Sequence, residues 1–573
     1  MIKRSYSGIS LMLFVPIILA IPCFAKAQSP QPFWPEQKAP ASIVTCKIDN
    51  FGNLAEMNLA QSVAGLAAQS INSDKNTEGV WVESRNIAYR SYYVSLVKRL
   101  QLKENGSFGL WQLVDRFKAK GVVRGYVLYD ARRGDNSVNL ATVYCGIKKG
   151  LLIDKTQETE AIRHRLTKLQ DVSKDTLSRQ SFDLLTSQLS PYLLVVADPK
   201  FSNNRDYAIA HRCMVYYGVD SLFLNILNWV KPLSPVIGWN KGDEFKQIEP
   251  CTSRGLINVP ADWCMNLALL GITPREAPAK VNSLDPKSID WNKSGNFNSF
   301  VMSDGDNMQW VFGSFLDSRD YWKNQFNSEI PMSFTSCVFN LSEAGRDVYN
   351  QLVQSQRKGV SMVEYGGGYY YPDLFGRMTG APEKLLREHA RRINKELKRT
   401  GTKVFGFICR NISSPAAIKA YQIFAEELDD ITGMIAVQYA PYNGGNGVVY
   451  WPKNKRGVEI PVIAAKYQLW ANQKIANSGN PQKLSGQINK DNEKPGDQLT
   501  WTIVHAWSEY TSDSVDVPDQ LRKTAKGFRG VTPVKWTKQL LDKATSVVSI
   551  EELLWRLRMQ HNREETQTII DRH

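Results

Sequence analysis

Val360-Ser361-Met362-Val363-Glu364-Tyr365-Gly366-Gly367-Gly368-Tyr369-Tyr370-Tyr371-Pro372-Asp373 is the stretch on which the fold turns. Its first four residues form an apolar run too short for a helix and bounded by glycine, which predicts a buried strand. The run ends on a carboxylate, Glu364, and three glycines follow at once. Glycine opens backbone angles closed to other residues and lets a ligand approach the main chain. Three tyrosines and a proline then supply large amphipathic faces. A carboxylate at a strand end beside an aromatic platform suits a sugar site. Read alone, the same residues equally describe a glycine turn capped by packed tyrosines.

Outward from this strand the pattern alternates. Residues 298–303 predict a strand and 308–322 a helix. Residues 332–339 predict a second strand, followed by a helix with Ser342 as N-cap that stops at Gly359. After the glycine stretch comes a helix over 383–399, set between Pro382 and Gly401, and a strand over 404–409. Ser414-Pro415 is an N-cap with proline at the first helical position, opening a helix to Leu428. Strands at 434–437, 462–465 and 500–504 follow, with a short eighth at 530–534. Seven or eight β/α repeats in about 250 residues predict a TIM-like (β/α) barrel over 290–573, with an open doubly wound sheet as the alternative.

Upstream, a proline-rich lead at 30–40 precedes strands at 79–82 and 122–129 and a helix at 110–120, with 139–144 read as a strand or a short helix. These define an α/β domain over 28–150. A polar helical stretch at 156–189 leads to an apolar strand at 192–197 and a loop holding Gly238-Trp239-Asn240 and Glu244, within a second α/β domain over 151–289. The expected class is therefore α/β: a C-terminal TIM-like barrel preceded by one or two smaller α/β domains.

The 573 residues suffice for roughly two to four domains. A hydrophobic fraction of 43% with 22% charged is that of a globular chain. Lys3 and Arg4, an apolar run over 9–21 and Ala25-Lys26-Ala27 predict a signal peptide over 1–27. The product is expected to be exported, periplasmic or extracellular. Pro22 before Cys23 fits a lipobox poorly, so a surface lipoprotein is the lesser expectation. No later apolar run reaches the roughly 18 residues of a spanning helix. Without Cys23, seven of the eight cysteines remain, scattered without CxxC spacing, which argues against a metal cluster or a dense disulfide framework. Cys251 and Cys264 are a candidate disulfide pair; most of the cysteines read as buried small hydrophobes.

A net charge of +15 raises nucleic acid as a partner, but export and the lack of a nucleic-acid motif exclude it. The densest basic group (Arg387, Arg391, Arg392, Lys395, Lys398 and Arg399) reads as the solvated face of one helix. P-loop, Gly-x-Ser-x-Gly, dinucleotide and HExxH signatures are missing from the sequence, and the six histidines are widely spaced. No cofactor or metal is expected, and the oligomeric state is not legible.

Barrel sites form at the carboxyl ends of the strands. There the chain places Ser303-Asp304-Gly305-Asp306-Asn307, Glu364, Arg410, Tyr439 and His505-Ala506-Trp507-Ser508-Glu509. Paired carboxylates serve glycosidic acid–base chemistry. The aspartates also suit a cation or an Asx turn. Arg410 suits an anionic substituent or a structural ion pair. His505 suits proton transfer, a sugar hydroxyl or a packed core position, Trp507 stacking, and Glu509 a reserve acid.

Gly366, Gly368, Tyr369, Tyr371 and Pro372 spell G-x-G-Y-x-Y-P. By this signature the chain resembles the GxGYxYP family of glycoside hydrolases, over most of its mature length and most closely in its C-terminal half. The resemblance implies a carbohydrate substrate, and an Asp-Gly-Asp-Asn motif like residues 304–307 opens the family's C-terminal domain. The expected catalytic pair is Glu364 with Asp304 or Asp306. Asn307, Gly366, Gly368, Tyr369, Tyr371, Arg410, Tyr439, His505, Trp507 and Glu509 are the expected substrate contacts. A non-catalytic glycan-binding protein and a cation-dependent esterase or lyase are the alternatives.

Overall fold

The computed structural model describes residues 1, 32–49, 51, 53–471, 473–510 and 527–572. Residues 2–27 of the expected signal peptide, Cys23 among them, lie outside the described residues.

Parallel strands need elements packed on both faces of their sheet; among the described residues there are three wholly parallel sheets and a fourth that is mainly parallel. The first orders its strands Glu78–Val82, Ser42–Lys47 and Lys103–Gly109. The second orders Gly150–Asp154, Gly125–Tyr129 and Lys168–Asp171. The third orders Ile257–Val259, Pro235–Gly238, Ser190–Val196 and Cys213–Tyr216. All their ladders are parallel. The expected division after residue 150 falls inside the strand Gly150–Asp154 of the second sheet. The stretch expected to be helical over 156–189 contains the strand Lys168–Asp171, while 139–144 lies in the helix Ser137–Lys148.

The helix Leu54–Asn72 is buried almost all round, as an apolar helix between layers must be. Asn53 caps it, its side chain accepting the N–H groups of Ala55 and Glu56. At Gly65 an added Cβ would stand 2.6 Å from Asp206 O, so glycine lets the helix Arg205–His211 close on it.

The fourth sheet carries the C-terminal half. Asn296–Met302, Ser333–Ser336, Ser361–Glu364, Val404–Cys409, Gly433–Gln438 and Val462–Ala464 pair in succession, all parallel. On its other side Asn296–Met302 pairs with Leu499–Val504, which pairs with Tyr467–Leu469. Only two residues separate Val462–Ala464 from Tyr467–Leu469. Ala465 N–H donates to Ala436 O at 3.0 Å and Lys466 N–H to Trp501 O at 3.2 Å. The sheet is curled and mainly parallel, a half-barrel, so the expectation holds as far as a mixed α/β chain with several parallel sheets.

Three local expectations need correction. Residues 530–534 are not an eighth strand: Gly530 precedes the helix Val531–Gln539, and Val531 N–H donates to Asp320 O at 2.9 Å. The second strand stops at Ser336, and the helix Val338–Ala344 begins where 332–339 predicted strand, with Ser342 inside it. A carboxylate from the neighbouring strand, Glu364, accepts Phe339 N–H at 3.0 Å and so holds that helix start. Residues 308–322 are helical only over Met308–Trp310 and a wide turn at Val311–Phe315. There Trp310, Phe315, Tyr321 and Trp322 pack ring on ring. Cys251 and Cys264 are free and buried, as are the other five described cysteines.

The basic helix (Pro382–Thr400) keeps Arg387 and Arg391 on acidic neighbours at its surface. Arg392 departs from the expected solvated face. It turns inward, donates to Gly366 O at 2.6 Å and lies 3.8 Å from the Phe33 ring centroid. Among the described residues, no helix is long and apolar enough to cross a membrane.

Candidate active site

The strand Asn296–Met302 delivers Ser303-Asp304-Gly305-Asp306-Asn307 to the carboxyl edge of the curled sheet. Asp304 has φ +69°, a left-handed conformation uncommon outside glycine and often held at functional sites. Gly305 is required by space: an added Cβ would stand 1.8 Å from Thr335 O. Its N–H donates to Thr335 Oγ1 at 2.8 Å. Ser303 Oγ donates to Asp304 Oδ2, and Asn307 Nδ2 donates to Asp304 O at 3.1 Å. Asp306 is 7% exposed. Burial first, then the charge of Asp304, push its carboxyl up to about 7.

These residues face a cavity of about 320 Å³. Its walls come from strand residues of the fourth sheet and from loops at their carboxyl ends, and Trp239 and Glu244 come from the loop that follows Pro235–Gly238 of the third sheet. Glu244 precedes the helix Phe245–Ser253 and accepts the hydroxyl of Tyr369, with Tyr442 Oη 3.4 Å away. Burial raises its pKa, Asp304 adding to the rise and the two tyrosines opposing it. Three carboxyl groups, Glu244, Asp304 and Asp306, therefore line one space.

Aromatic rings make up much of the rest of the wall, with Val301, Ile408, Val437 and Ile503 between them. Trp239 and Tyr369 meet edge to face at 6.2 Å, and Tyr365, Tyr442, Trp470, Trp501 and Trp507 join them. His505 stacks on Trp470 at 3.6 Å and 6° and shares a hydrogen bond with Ser508 Oγ at 3.0 Å. Burial lowers its pKa against the pull of Asp304, favouring the neutral ring.

Of the residues expected from sequence, Asp304, Asp306, Asn307, Tyr369, His505 and Trp507 line this cavity. Glu364 does not. It is wholly buried, and its two oxygens accept Phe339 N–H at 3.0 Å and Gly367 N–H at 2.9 Å. Burial pushes its carboxyl up to about 8. Glu364 thus ties a helix start to the glycine turn, and its neighbour Tyr365 takes the cavity-facing position.

Gly366 and Gly368 also lie off the main cavity. Gly366 has φ +80°, and at Gly368 (φ +153°) a Cβ would stand 2.3 Å from Asn258 O. That closeness lets Tyr369 exchange backbone hydrogen bonds with Asn258 of the third sheet, at 2.6 and 3.1 Å. Tyr371 is fully buried against Phe245 and Tyr439. Arg410 lies over the Phe245 ring at 4.5 Å, while Asp373 accepts its N–H at 3.0 Å. Tyr439 donates to Asp243 at 3.1 Å, and Glu509 pairs with Arg529 at 2.7 Å. These four stand outside the cavity wall.

Glu244, Trp239, Tyr365, Trp470 and Trp501 were not expected as site residues from the sequence, while Tyr442 lies in the 438–442 loop expected to help line the cleft. The signal for Glu244 was present: a tryptophan and a carboxylate following an apolar strand, the same arrangement as at Asp304. It stood in a different domain from the glycine motif. Among the described residues no group of three or more His, Cys, Asp or Glu side chains is placed to hold a metal ion.

Residues 296–540 match the "GxGYxYP putative glycoside hydrolase C-terminal domain", residues 191–271 the family's third domain and residues 123–192 its second. The chain belongs to the GxGYxYP family. It is similar in fold to a solved "putative hydrolase" from Bacteroides thetaiotaomicron, with a TM-score of 0.75 at 17% identity, covering 93% of this chain and 97% of that one. A domain of unknown function from Bordetella bronchiseptica aligns at 11% identity over 74% of this chain and 94% of that one. Its TM-score of 0.12 carries no structural meaning. Curated proteins give no match.

Proposed function

We propose that this chain is an exported glycoside hydrolase that cleaves a glycosidic bond of an oligo- or polysaccharide in the aromatic cavity. One observation carries the reading: Glu244, Asp304 and Asp306 line a single space walled by tryptophan and tyrosine. Cleavage by this route needs a protonated carboxyl at the leaving oxygen and an ionised one on the sugar or on water. Glu244, whose buried carboxyl holds its proton more tightly than usual, is the general acid. Asp304, in the acidic turn, is the second carboxyl, acting as nucleophile or as base toward water. Asp306 is its buried neighbour, whose own carboxyl burial pushes up to about 7. Tyr369 orients Glu244 through its hydroxyl and offers its ring to the sugar. Trp507, 42% exposed, is the stacking face nearest solvent.

Glu364 has no part in this chemistry. The curled sheet is read as a TIM-like barrel in which residues 462–469 serve as one strand position, touching residues 433–438 with the first half and 499–504 with the second. The N-terminal segment is read as the export signal.

The test is hydrolysis of a panel of defined glycans, followed by reducing-end release. Glu244→Gln and Asp304→Asn are expected to abolish turnover, and Glu364→Gln to retain it. Turnover surviving in both of the first two variants sinks the assignment. Loss of turnover on chelation, restored by calcium, would favour cation-dependent chemistry instead.

A further inference from the structure

The chain carries a net charge of +15, and part of that excess is gathered in one place. Strands of the second and third sheets begin just after basic residues: Arg124 precedes Gly125–Tyr129, Lys149 precedes Gly150–Asp154 and Arg212 precedes Cys213–Tyr216. Residues that precede parallel strands lie along the amino edge of their sheet. Trp239 and Glu244 lie beyond the carboxyl edge of the third.

Backbone contacts bring these cations together. Arg124 N–H donates to Lys149 O at 2.9 Å. A Cβ added at Gly146, in the helix Ser137–Lys148, would stand 3.6 Å from Arg212 Cα, and that helix ends on Lys148. Lys75 joins them: burial first, then the charges of Lys75, Arg124 and Arg212, lower the pKa of Lys149. Among the described residues none of these five cations forms an ion pair. The acids of neighbouring segments are engaged elsewhere, Asp74 with Lys38, Glu158 with Lys168 and Asp183 with Arg179. Like charges crowded without counter-charge repel one another, and an anion seated among them relieves that repulsion.

Arg124 and Lys148 also line a cavity of about 590 Å³, together with Tyr144, Gln170 and Gln188, and no carboxylate stands in its wall. The shape selects among anions. A bilayer is a plane that meets flat or convex faces, whereas a polysaccharide strand enters a crevice. Glutamine amides both give and accept hydrogen bonds, as sugar hydroxyls require, and Tyr144 offers a ring.

We propose that this crevice binds an acidic polysaccharide, a chain bearing carboxylate or sulfate groups. Arg124, Lys148, Lys149 and Arg212 meet its anions, and Gln170 and Gln188 its hydroxyls. The site is separate from the aromatic cavity and does not rest on the hydrolase reading.

The test is calorimetric titration of the full chain with polygalacturonate, dextran sulfate and neutral dextran at about 50 mM salt. An acidic chain is expected to bind and neutral dextran not to. Affinity is expected to fall about tenfold or more as salt rises to about 200 mM, because bound counterions are released. Arg124→Gln, Lys148→Gln and Arg212→Gln combined in one chain are expected to weaken binding about tenfold. Lys98→Gln, Lys287→Gln and Lys384→Gln combined remove the same charge from exposed lysines outside the cavity wall, and are expected to leave affinity within about twofold. None of the six side chains is buried, so both variants are expected to keep the parent Tm.

Equal weakening in the two variants, or none in the first, overturns the site and leaves only attraction to net charge. Binding to phosphatidylglycerol vesicles without binding to either acidic chain overturns it in favour of a membrane surface. No binding to either acidic chain overturns it outright. Binding is read without turnover, so each of these outcomes is independent of the hydrolysis test.

Discussion

Asp304 and Glu364 both stand at the carboxyl ends of parallel strands in one sheet, and they are put to opposite uses. Asp304 follows its strand by two residues, takes a left-handed backbone and lines the cavity. Glu364 is the last residue of its own strand, points away from the cavity and accepts two backbone N–H groups in the core. Side chains alternate faces along a strand, so a shift of one residue decides between core and cleft. Tyr365, one position on, is the residue that reaches the cavity. A carboxylate at a strand end is therefore a candidate only once its facing is known.

The contrast breaks most sharply at the level of turnover. Glu244→Gln and Asp304→Asn are each expected to lower kcat by about 10²–10⁴-fold with Tm little changed. Glu364→Gln is expected to keep activity within a few-fold. A Glu364→Gln enzyme that folds normally but is inactive would reverse the two roles.

Next in size is stability at Glu364. Glu364→Ala leaves two buried N–H groups unpaired, at about 1–3 kcal/mol each. Thermal unfolding should show the drop, and an unchanged Tm would mean that the carboxylate does not tie helix to glycine turn. Gly368→Ala sharpens the same point, since its Cβ would collide with Asn258 O in a conformation that side chains avoid. The expected result is a lower Tm together with lost activity, because Tyr369 and the third sheet part at that contact.

The smallest effect is in pH. Asp306 is pushed up to about 7 and Glu364 to about 8, against about 4 for carboxyls in an unfolded chain. The folded state binds these protons more tightly, so their contribution is fully present below about pH 4 and is lost as pH rises through about 7 and 8. Asp306→Asn should narrow the Tm difference between pH 5 and pH 8. An unaltered difference would mean that Asp306 titrates normally.

Much of the architecture was legible in the residues. The apolar runs at 404–409 and 500–504 are strands because nothing else buries so short a run, and Ser414-Pro415 does cap its helix, accepting Ala417 N–H. The acidic turn at 303–307, expected from two carboxylates and an amide crowding one glycine after an apolar strand, does line the cavity. Three things were not. Residues 332–339 carry enough apolar content for a strand, but a distant carboxylate starts a helix at Val338. Arg392 sits in a basic run, yet a carbonyl of the glycine turn draws it inward. Glu244 lies 60 residues before Asp304 in sequence, and only the packing of the third sheet against the glycine motif makes them neighbours.

By itself the sequence determined the α/β alternation, the buried strands and the family signature, because these follow from local periodicity and from glycine and proline at fixed positions. Only the tertiary structure decided which carboxylates share a cavity. That depends on facing and on contacts between segments far apart in the chain, and neither is written in the spacing of residues along it.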